Sequence, residues 1–299
     1  MPASRHHRVL LRLAAAGGFL PAGPLLAQSP VPTILAFPAN VRAAGLAGAG
    51  VAMIGYAGSV FNNPSGLAPI RHLSLEASVA RLPDRSTYTM GAAAVRLGPL
   101  NLGGGYQYLR LPKGQASSDN LTSVGTLVYR RGGLALGGSG KYVSVEDSAG
   151  GITRGVTSDL GFTVAFFDIA AFALAVQNLG DWAISRGGFD LPRALHLGFS
   201  LNLLDTYSNG RLLATLETTW AQGSKPRRAV GLEGGAVFYG LGVVARIGTG
   251  GQPTGAAGRF SRTAYGGGLV LGRARLDYAY QGRSPLGRSV HLFGFRWTP

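Results

Sequence analysis

The chain has 299 residues, a formal net charge of +15 at pH 7, no cysteine and 14% charged residues. The lack of cysteine excludes disulfides, thiolate catalysis and thiolate metal sites. The low charged content, against roughly 25% in soluble proteins, favours a large lipid-facing surface. The excess positive charge suits outer-membrane lipid and lipopolysaccharide as partners. No basic run alternates with aromatic residues as in nucleic-acid grooves, so we expect no nucleic-acid partner.

Residues 1–27 have the pattern of a secretory signal peptide. Three arginines precede an apolar stretch at 13–26, and Ala27 offers a small residue for cleavage before Gln28. A cut after Ala22 is the alternative. Beyond this leader no segment reaches the ~18–20 uninterrupted apolar residues of a spanning helix. We therefore expect an exported chain without a helical membrane anchor.

The next segment, 28–70, is rich in alanine and glycine and is too short to form an independent domain. Small residues allow close packing, so we expect this segment to fold as a hatch inside the structure formed by the rest of the chain. Its end carries strong turn chemistry, because Asn-Pro followed by Ser-Gly favours chain reversal. The predicted hatch turn consists of Asn63, Pro64, Ser65 and Gly66.

From residue 71 to Trp297, apolar residues alternate with small or polar ones in short segments. Side chains on a strand point alternately to opposite faces, so this pattern places an apolar face opposite a polar one. An even number of strands puts both ends of a barrel on the periplasmic side. The fourteen predicted strands are 71–83, 86–97, 99–111, 121–130, 133–146, 157–166, 169–179, 193–204, 210–222, 228–238, 240–248, 262–271, 273–282 and 288–297.

The connections between these strands alternate in length. Very short turns are predicted near 98, 132, 167, 239 and 272, and 205–210 is slightly longer. The long polar loops are 112–120, 146–157, 180–192 and 249–261. Tight turns at one end and long loops at the other are typical of outer-membrane barrels. Lipid offers no water to a free sheet edge, so the sheet must close. We predict an all-β fold, a transmembrane antiparallel β-barrel of about fourteen strands, in a Gram-negative-type outer membrane.

Charged residues inside the predicted strands fall opposite the apolar positions and therefore face the lumen. A lipid-facing Arg or Lys at the bilayer midplane costs ~2–4 kcal/mol, which favours this placement. Two interpretations remain open: ion-pair networks that hold the hatch, or direct contact with a substrate. The predicted lumen-lining residues are Glu76, Lys141, Asp159, Glu217, Glu233, Arg246, Arg273, Arg275, Asp277 and Arg296.

Catalytic and metal chemistry has little support in the sequence. The histidines beyond the leader, His72, His196 and His291, lie on separate strands or junctions without metal-site spacing. His196 shares a strand face with Ser200, but such neighbours are common on any strand. We expect no enzyme activity, no metal and no cofactor.

The stretch 41–68 resembles the amino-terminal signature of PorV/PorQ-type outer-membrane proteins, which are relatives of FadL-type fatty-acid transporters. In that superfamily an Arg-Ala-Gly-like start leads to an Asn-Pro-Ala-Gly-Leu-like turn. The resemblance implies a fourteen-stranded barrel with an internal amino-terminal hatch. The chain departs from the family at Ser65, where Ala is usual, and at 55–58, where the family often has acidic residues.

Two functions follow from the resemblance. One is uptake or transfer of a hydrophobic or amphipathic small molecule through a barrel gated by the hatch. The alternative is a PorV-like role beside the proteins of a secretion or surface-attachment machine. A continuous apolar path from the loops to the hatch would favour transport, and a fully plugged lumen would favour a protein partner.

Overall fold

The computed structural model describes residues 32–82, 84–112, 117–147, 149–167, 169–183, 191–206, 210–251, 261–282 and 289–299. The predicted signal peptide at 1–27 lies outside these residues and stays a prediction.

Within the described residues the chain forms fourteen antiparallel strands in one closed barrel, which confirms the predicted fold class. Each strand pairs with its neighbours in sequence, and β1 pairs with β14 to close the sheet. The strands are β1 Leu73–Arg81, β2 Thr87–Leu97, β3 Leu100–Arg110, β4 Ser117–Arg131, β5 Leu134–Asp147, β6 Ile152–Phe166, β7 Ala170–Ala183, β8 Ala194–Thr206, β9 Gly210–Ala221, β10 Arg227–Phe238, β11 Leu241–Gly251, β12 Ser261–Leu271, β13 Ala274–Gln281 and β14 Val290–Trp297.

Several strands are longer at one end than the sequence predicts. β4 begins at Ser117 rather than at 121, β6 begins at Ile152 rather than at 157, and β7 ends at Ala183 rather than at 179. The apolar alternation stops before these positions, because polar residues and glycines interrupt it. Backbone ladder hydrogen bonds nevertheless continue through them, so hydrophobic periodicity underestimates strand length here.

The two ends of the barrel differ in the length of their connections. At one end, here the short-turn end, the connections are 98–99, 132–133, 167–169, 207–209, 239–240 and 272–273. At the other, here the long-loop end, they include 184–193, 252–260 and 282–289. The asymmetry agrees with the predicted alternation of short and long connections, but the predicted loop 146–157 is wrong in length. Only 148–151 separates β5 from β6, because both strands extend into the predicted loop.

Side chains alternate between a buried inner face and an exposed outer face. On β14, Leu292 is fully buried, whereas its neighbour Phe293 is 56% exposed. On β6, Asp159 is buried and the adjacent Leu160 is 56% exposed. The outer face thus carries large apolar residues, which is the arrangement that lipid requires. The inner face carries polar and small residues, together with apolar residues such as Leu292 that belong to the buried core inside the barrel.

Residues 32–70, here the inner segment, lie against the inward faces of the strands. The segment contains one short helix, α1 Val41–Gly45, and the 3-10 helices Thr33–Ala36, Ala57–Phe61 and Pro64–Leu67. Tyr56 has no exposed surface. The contacts extend around the whole barrel, from β1 to β14. No helix in the described part of the chain is long and apolar enough to cross a membrane.

Candidate functional site

At the predicted hatch turn the structure has the one-turn 3-10 helix Pro64–Leu67, which Asn63 caps. The Oδ1 atom of Asn63 accepts hydrogen bonds from the backbone N–H of Ser65 at 3.1 Å and from its Oγ at 2.7 Å. The Asn63 Nδ2 group donates to the carbonyl of Val51 and to Thr163 Oγ1 on β6. Ser65 Oγ also lies 2.7 Å from Thr163 Oγ1. The serine that departs from the family pattern thus bonds the inner segment to the barrel wall.

Paired wall glycines make room for this turn. Gly137 on β5 and Gly161 on β6 are direct register partners. A Cβ atom at Gly161 would collide with Asn63 Oδ1, and one at Gly137 would come 2.6 Å from the carbonyl carbon of Pro64. Glycine is therefore required wherever the backbone of the inner segment approaches the backbone of the wall this closely.

Of three small inward residues on the wall, Gly161, Ala173 and Gly235, two contact the inner segment. Gly161 lies against the turn, and Ala173 packs with Val51 and Ala52. Gly235 is different, because the atoms nearest to a Cβ built there belong to Val243 and Val244 of the neighbouring strand β11. The inner segment contacts β10 at Gly231, which is nearer to the long-loop end than Gly235 is.

A five-residue ionic network, here the arginine network, joins the inner segment to β10, β11 and β13. Arg42 Nε donates to Glu233 Oε2 at 2.9 Å, and Arg246 Nε donates to the same oxygen at 2.6 Å. Arg246 Nη2 also lies 2.8 Å from Asp277 Oδ1, and Arg275 Nε lies 2.9 Å from Asp277 Oδ2. Burial lowers the pKa of Arg42, but the Glu233 carboxylate outweighs it, so this pKa lies above its ordinary value.

Tyr56 connects the arginine network to the seam between β1 and β14. The guanidinium groups of Arg42 and Arg296 each lie 5.8 Å from the centre of its ring, within range of a cation–π contact. Burial raises the pKa of Tyr56 to about 12, so the phenol stays neutral. Glu76, the register partner of Arg296, accepts a hydrogen bond from the backbone N–H of Gly58 at 2.9 Å.

Glu217 on β9 holds the middle of the inner segment. Its Oε2 atom accepts hydrogen bonds from the backbone N–H groups of Gly50 at 2.7 Å and Val51 at 2.9 Å. Its Oε1 atom lies 2.9 Å from His196 Nδ1 and 3.2 Å from Thr219 Oγ1. One carboxylate oxygen therefore binds the inner segment, and the other binds the wall.

Lys141 and Asp159 form a buried ion pair between wall strands. Lys141 Nζ lies 2.8 Å from Asp159 Oδ2 and donates to Asn178 Oδ1 at 3.1 Å. Asp159 Oδ1 accepts the backbone N–H of Asn178 at 2.9 Å. Asn178 has a φ of 60°, where β7 is irregular against β6, so the pair stabilises a distorted part of the strand.

Arg273 is placed differently from the other predicted lumen-lining residues. It lies in the turn between β12 and β13, and its side chain is exposed. Its parity matches that of Arg275 and Asp277, but β13 begins only at Ala274, so Arg273 lies just outside the strand at the rim of the barrel.

Sequence reasoning did not single out Arg42, Thr163 or Gln177 as contact residues. Gln177 Nε2 donates to the carbonyls of Phe61 and Asn62. The role of Arg42 could have been predicted from the sequence, because it is the only charged residue in 32–70. A single charge in an otherwise uncharged buried segment requires a partner of opposite sign.

A cavity of about 410 Å³ lies between the inner segment and the long-loop end. Leu35, Phe37 and Phe61 supply apolar surface from the inner segment. The barrel wall supplies polar groups, among them Gln107, Thr122, Lys141, Gln177, His196 and Glu217. The cavity is thus apolar on one side and polar on the other. Among the described residues no group of three or more His, Asp or Glu side chains is arranged to bind a metal.

Comparison with known proteins gives a likeness of fold. No protein-family model and no curated protein matches the sequence. Among solved structures, the CymD monoaromatic hydrocarbon channel matches with a TM-score of 0.61 and 12% identity, over 90% of this chain and 99% of that one. The toluene transporter TodX of P. putida matches with a TM-score of 0.61 and 11% identity, over 89% and 99%. The Ralstonia pickettii toluene transporter TbuX matches with a TM-score of 0.57 and 12% identity, over 89% and 99%.

The chain has the fold of these barrels. This agrees with the fourteen-stranded outer-membrane barrel that the sequence resemblance implied. The likeness concerns architecture, and the resemblance to the PorV/PorQ group stays a prediction.

Proposed function

We propose that this chain is an outer-membrane channel for uptake of hydrophobic or amphipathic small molecules, with the inner segment as its gate. The observation that carries the proposal is the position of the inner segment, which lies between the short-turn end and a half-apolar cavity of about 410 Å³. A ligand that enters from the long-loop end meets this cavity first and must then pass the inner segment. The neighbouring folds belong to a hydrocarbon channel and to toluene transporters, which supports an apolar cargo.

The attachment of the inner segment suits a gate. Backbone N–H groups of the segment donate to Glu217, and Asn63 and Ser65 bond Thr163. Together with the ion pair between Arg42 and Glu233, these bonds fix the segment to the wall. Such bonds can be exchanged for bonds to water or ligand when the segment moves.

Another part of the segment is held by apolar packing, because Ile34, Val60 and Leu67 lie in one buried cluster with wall residues such as Met90 and Leu109. We therefore expect the gate to move where hydrogen bonds and the Arg42 ion pair hold it, and the apolar cluster to stay in place.

Uptake by purified protein in liposomes tests the proposal. We expect radiolabelled toluene and hexadecanoate to enter protein-containing liposomes several-fold faster than empty ones, while raffinose entry stays unchanged. The liposomes carry lipopolysaccharide in the outer leaflet, because its sugar layer slows apolar solutes that would otherwise cross a phospholipid bilayer unaided. Ala194→Trp should abolish the acceleration, because Ala194 lines the cavity. The control is Ala214→Trp, which places the same ring among the outward-facing residues of β9. Equal rates for intact protein and Ala194→Trp would contradict the assigned entry route.

The orientation of the barrel is a separate prediction. Epitope tags in the connections 111–116, 148–151, 184–193 or 252–260, which lie within or next to the four predicted loops, are expected to bind antibody on intact cells, because this end of an outer-membrane barrel faces outward. A tag between Phe167 and residue 168 should bind only after the outer membrane is permeabilised. Equal labelling of both sets of tags would show that the orientation is wrong.

A PorV-like role in protein secretion is the second candidate. It is favoured by the number of wall contacts, because the inner segment touches strands all around the barrel. A gene-deletion strain with unchanged small-molecule uptake and missing surface-attached proteins would favour this role over transport.

A further inference from the structure

A pair formed by an arginine and a histidine faces outward where β1 and β14 approach the long-loop end. Arg81 is the last residue of β1, and His291 is the second residue of β14. The two are direct register partners on neighbouring strands. Both are exposed, whereas the adjacent Ala80 and Leu292 are buried against the lumen. Arg81 and His291 therefore lie side by side on the outer surface of the barrel.

Aromatic side chains extend this pair along the same row. Tyr280 on β13 is the register partner of His291, and their ring centres are 5.1 Å apart. Tyr278 Oη lies 2.8 Å from His291 Nδ1, which fixes the orientation of the imidazole. Tyr265 on β12 pairs in turn with Tyr280 and is also exposed. We call Arg81, His291, Tyr278 and Tyr280 the outer patch.

Arg81 has no acidic partner in the described part of the chain. No carboxylate there lies within the 4.0 Å ion-pair distance of its guanidinium. Arg110, another arginine that ends a strand at the long-loop end, differs because it lies 3.7 Å from Asp119. A lipid-facing arginine costs ~2–4 kcal/mol at the bilayer midplane but about 0–1 kcal/mol near the interface. Its position at a strand end fits contact with headgroups.

We propose that the outer patch binds a phosphate-bearing lipid of the outer leaflet. A guanidinium presents a planar set of donors that matches phosphate oxygens, and the imidazole can add a further N–H. Tyrosine rings prefer the depth of the headgroups, where their apolar body meets lipid and their hydroxyl meets water. Three neighbouring strands thus supply a phosphate-binding fork, an oriented imidazole and an aromatic platform. This inference rests on the outer-membrane location in the proposed function.

Binding of lipid A, compared with its chemically dephosphorylated form, tests the outer patch. The full chain in detergent is titrated with each lipid, and bound lipid is counted by native mass spectrometry. We expect the phosphorylated form to be retained preferentially. Arg81→Gln should weaken this retention about fivefold, the effect of roughly one surface arginine on anionic lipid. His291→Gln should weaken it in the same direction, whereas Arg81→Lys should retain part of it because the charge remains.

Arg131→Gln is the matched control, because Arg131 is an exposed arginine that ends β4 at the opposite, short-turn end. Its retention of lipid A should equal that of the intact chain. Equal binding of both lipid forms by the intact chain would overturn the proposal, as would an equal loss in Arg131→Gln and Arg81→Gln. Since this assay contains no transported substrate, failure of uptake in liposomes leaves its result unaffected, and each proposal can fail alone.

Discussion

Deletion of residues 34–62, with the leader and Asn63 to Pro299 retained, is expected to convert a barrel whose lumen is filled by the inner segment into an open channel. A fourteen-stranded barrel is too wide for wall side chains alone to fill its lumen. The deletion removes Arg42 and the backbone N–H groups that Glu217 binds, so the inward carboxylates become hydrated and line a water-filled path. Single-channel conductance in planar bilayers should rise from near zero to a stable open level, and cells should become sensitive to large antibiotics.

The conductance of the deletion variant can be compared with that of the intact protein only if the shortened chain still forms a barrel. Circular dichroism should retain a β spectrum, and unboiled samples should migrate differently from boiled ones on a gel. A folded, inserted deletion variant with conductance near zero would show that the wall closes the lumen without the inner segment, and the gating proposal would fail.

Glu233→Ala is expected to loosen the inner segment without removing it. Glu233 is buried and binds both Arg42 and Arg246, so its loss leaves two guanidinium groups without this carboxylate. Loss of one partner from a buried ion pair typically costs about 3–5 kcal/mol. We expect a lower unfolding temperature in detergent, measured by the heat-dependent gel shift, and brief channel openings that the intact protein lacks.

Asp119→Ala provides the matched control for this prediction. Asp119 lies 3.7 Å from the exposed guanidinium of Arg110, and surface pairs of this kind contribute about 0–1 kcal/mol. The Arg42→Ala and Glu233→Ala changes, alone and together, form a double-mutant cycle. Additive effects on the unfolding temperature would mean that Arg42 and Glu233 do not act as a pair, and that this contact does not hold the inner segment.

The barrel was predictable from the sequence because its pattern is repeated in every strand. Inward charge and outward apolar residues alternate with a period of two, and turn residues at Gly98, Gly132, Gly240 and Gly272 separate the segments. Each of these glycines has a positive φ, which glycine adopts without steric cost. The sequence pattern underestimated the ends of β4, β6 and β7. Side chains alternate between apolar and polar only where the strand contacts lipid, whereas backbone hydrogen bonds between strands also form beyond the lipid.

The partners of the inner segment were not predictable in the same way. The run Asn63 to Gly66 indicated a turn, but nothing in its residues indicates that it faces Thr163 rather than β1. The Arg42 and Glu233 side chains are 191 positions apart in sequence, and periodicity gives no information on contacts of that range. Gly137 and Gly161 look like ordinary strand glycines until the register pairs them and the inner segment lies across both.

The ladder between β1 and β14, in which Leu75 pairs with Trp297, also constrains the order in which the molecule can assemble. The inner segment precedes β1 in the chain and is enclosed by all the strands that follow it. The entropic cost of closing a loop grows with its length, so pairing of the two most distant strands is the costliest ladder to form. If the inner segment were still outside when β1 pairs with β14, it would have to pass through the closed sheet. The arginine network spans β10, β11 and β13, which are synthesised late. The ionic contacts that hold the segment can therefore form only shortly before the barrel closes.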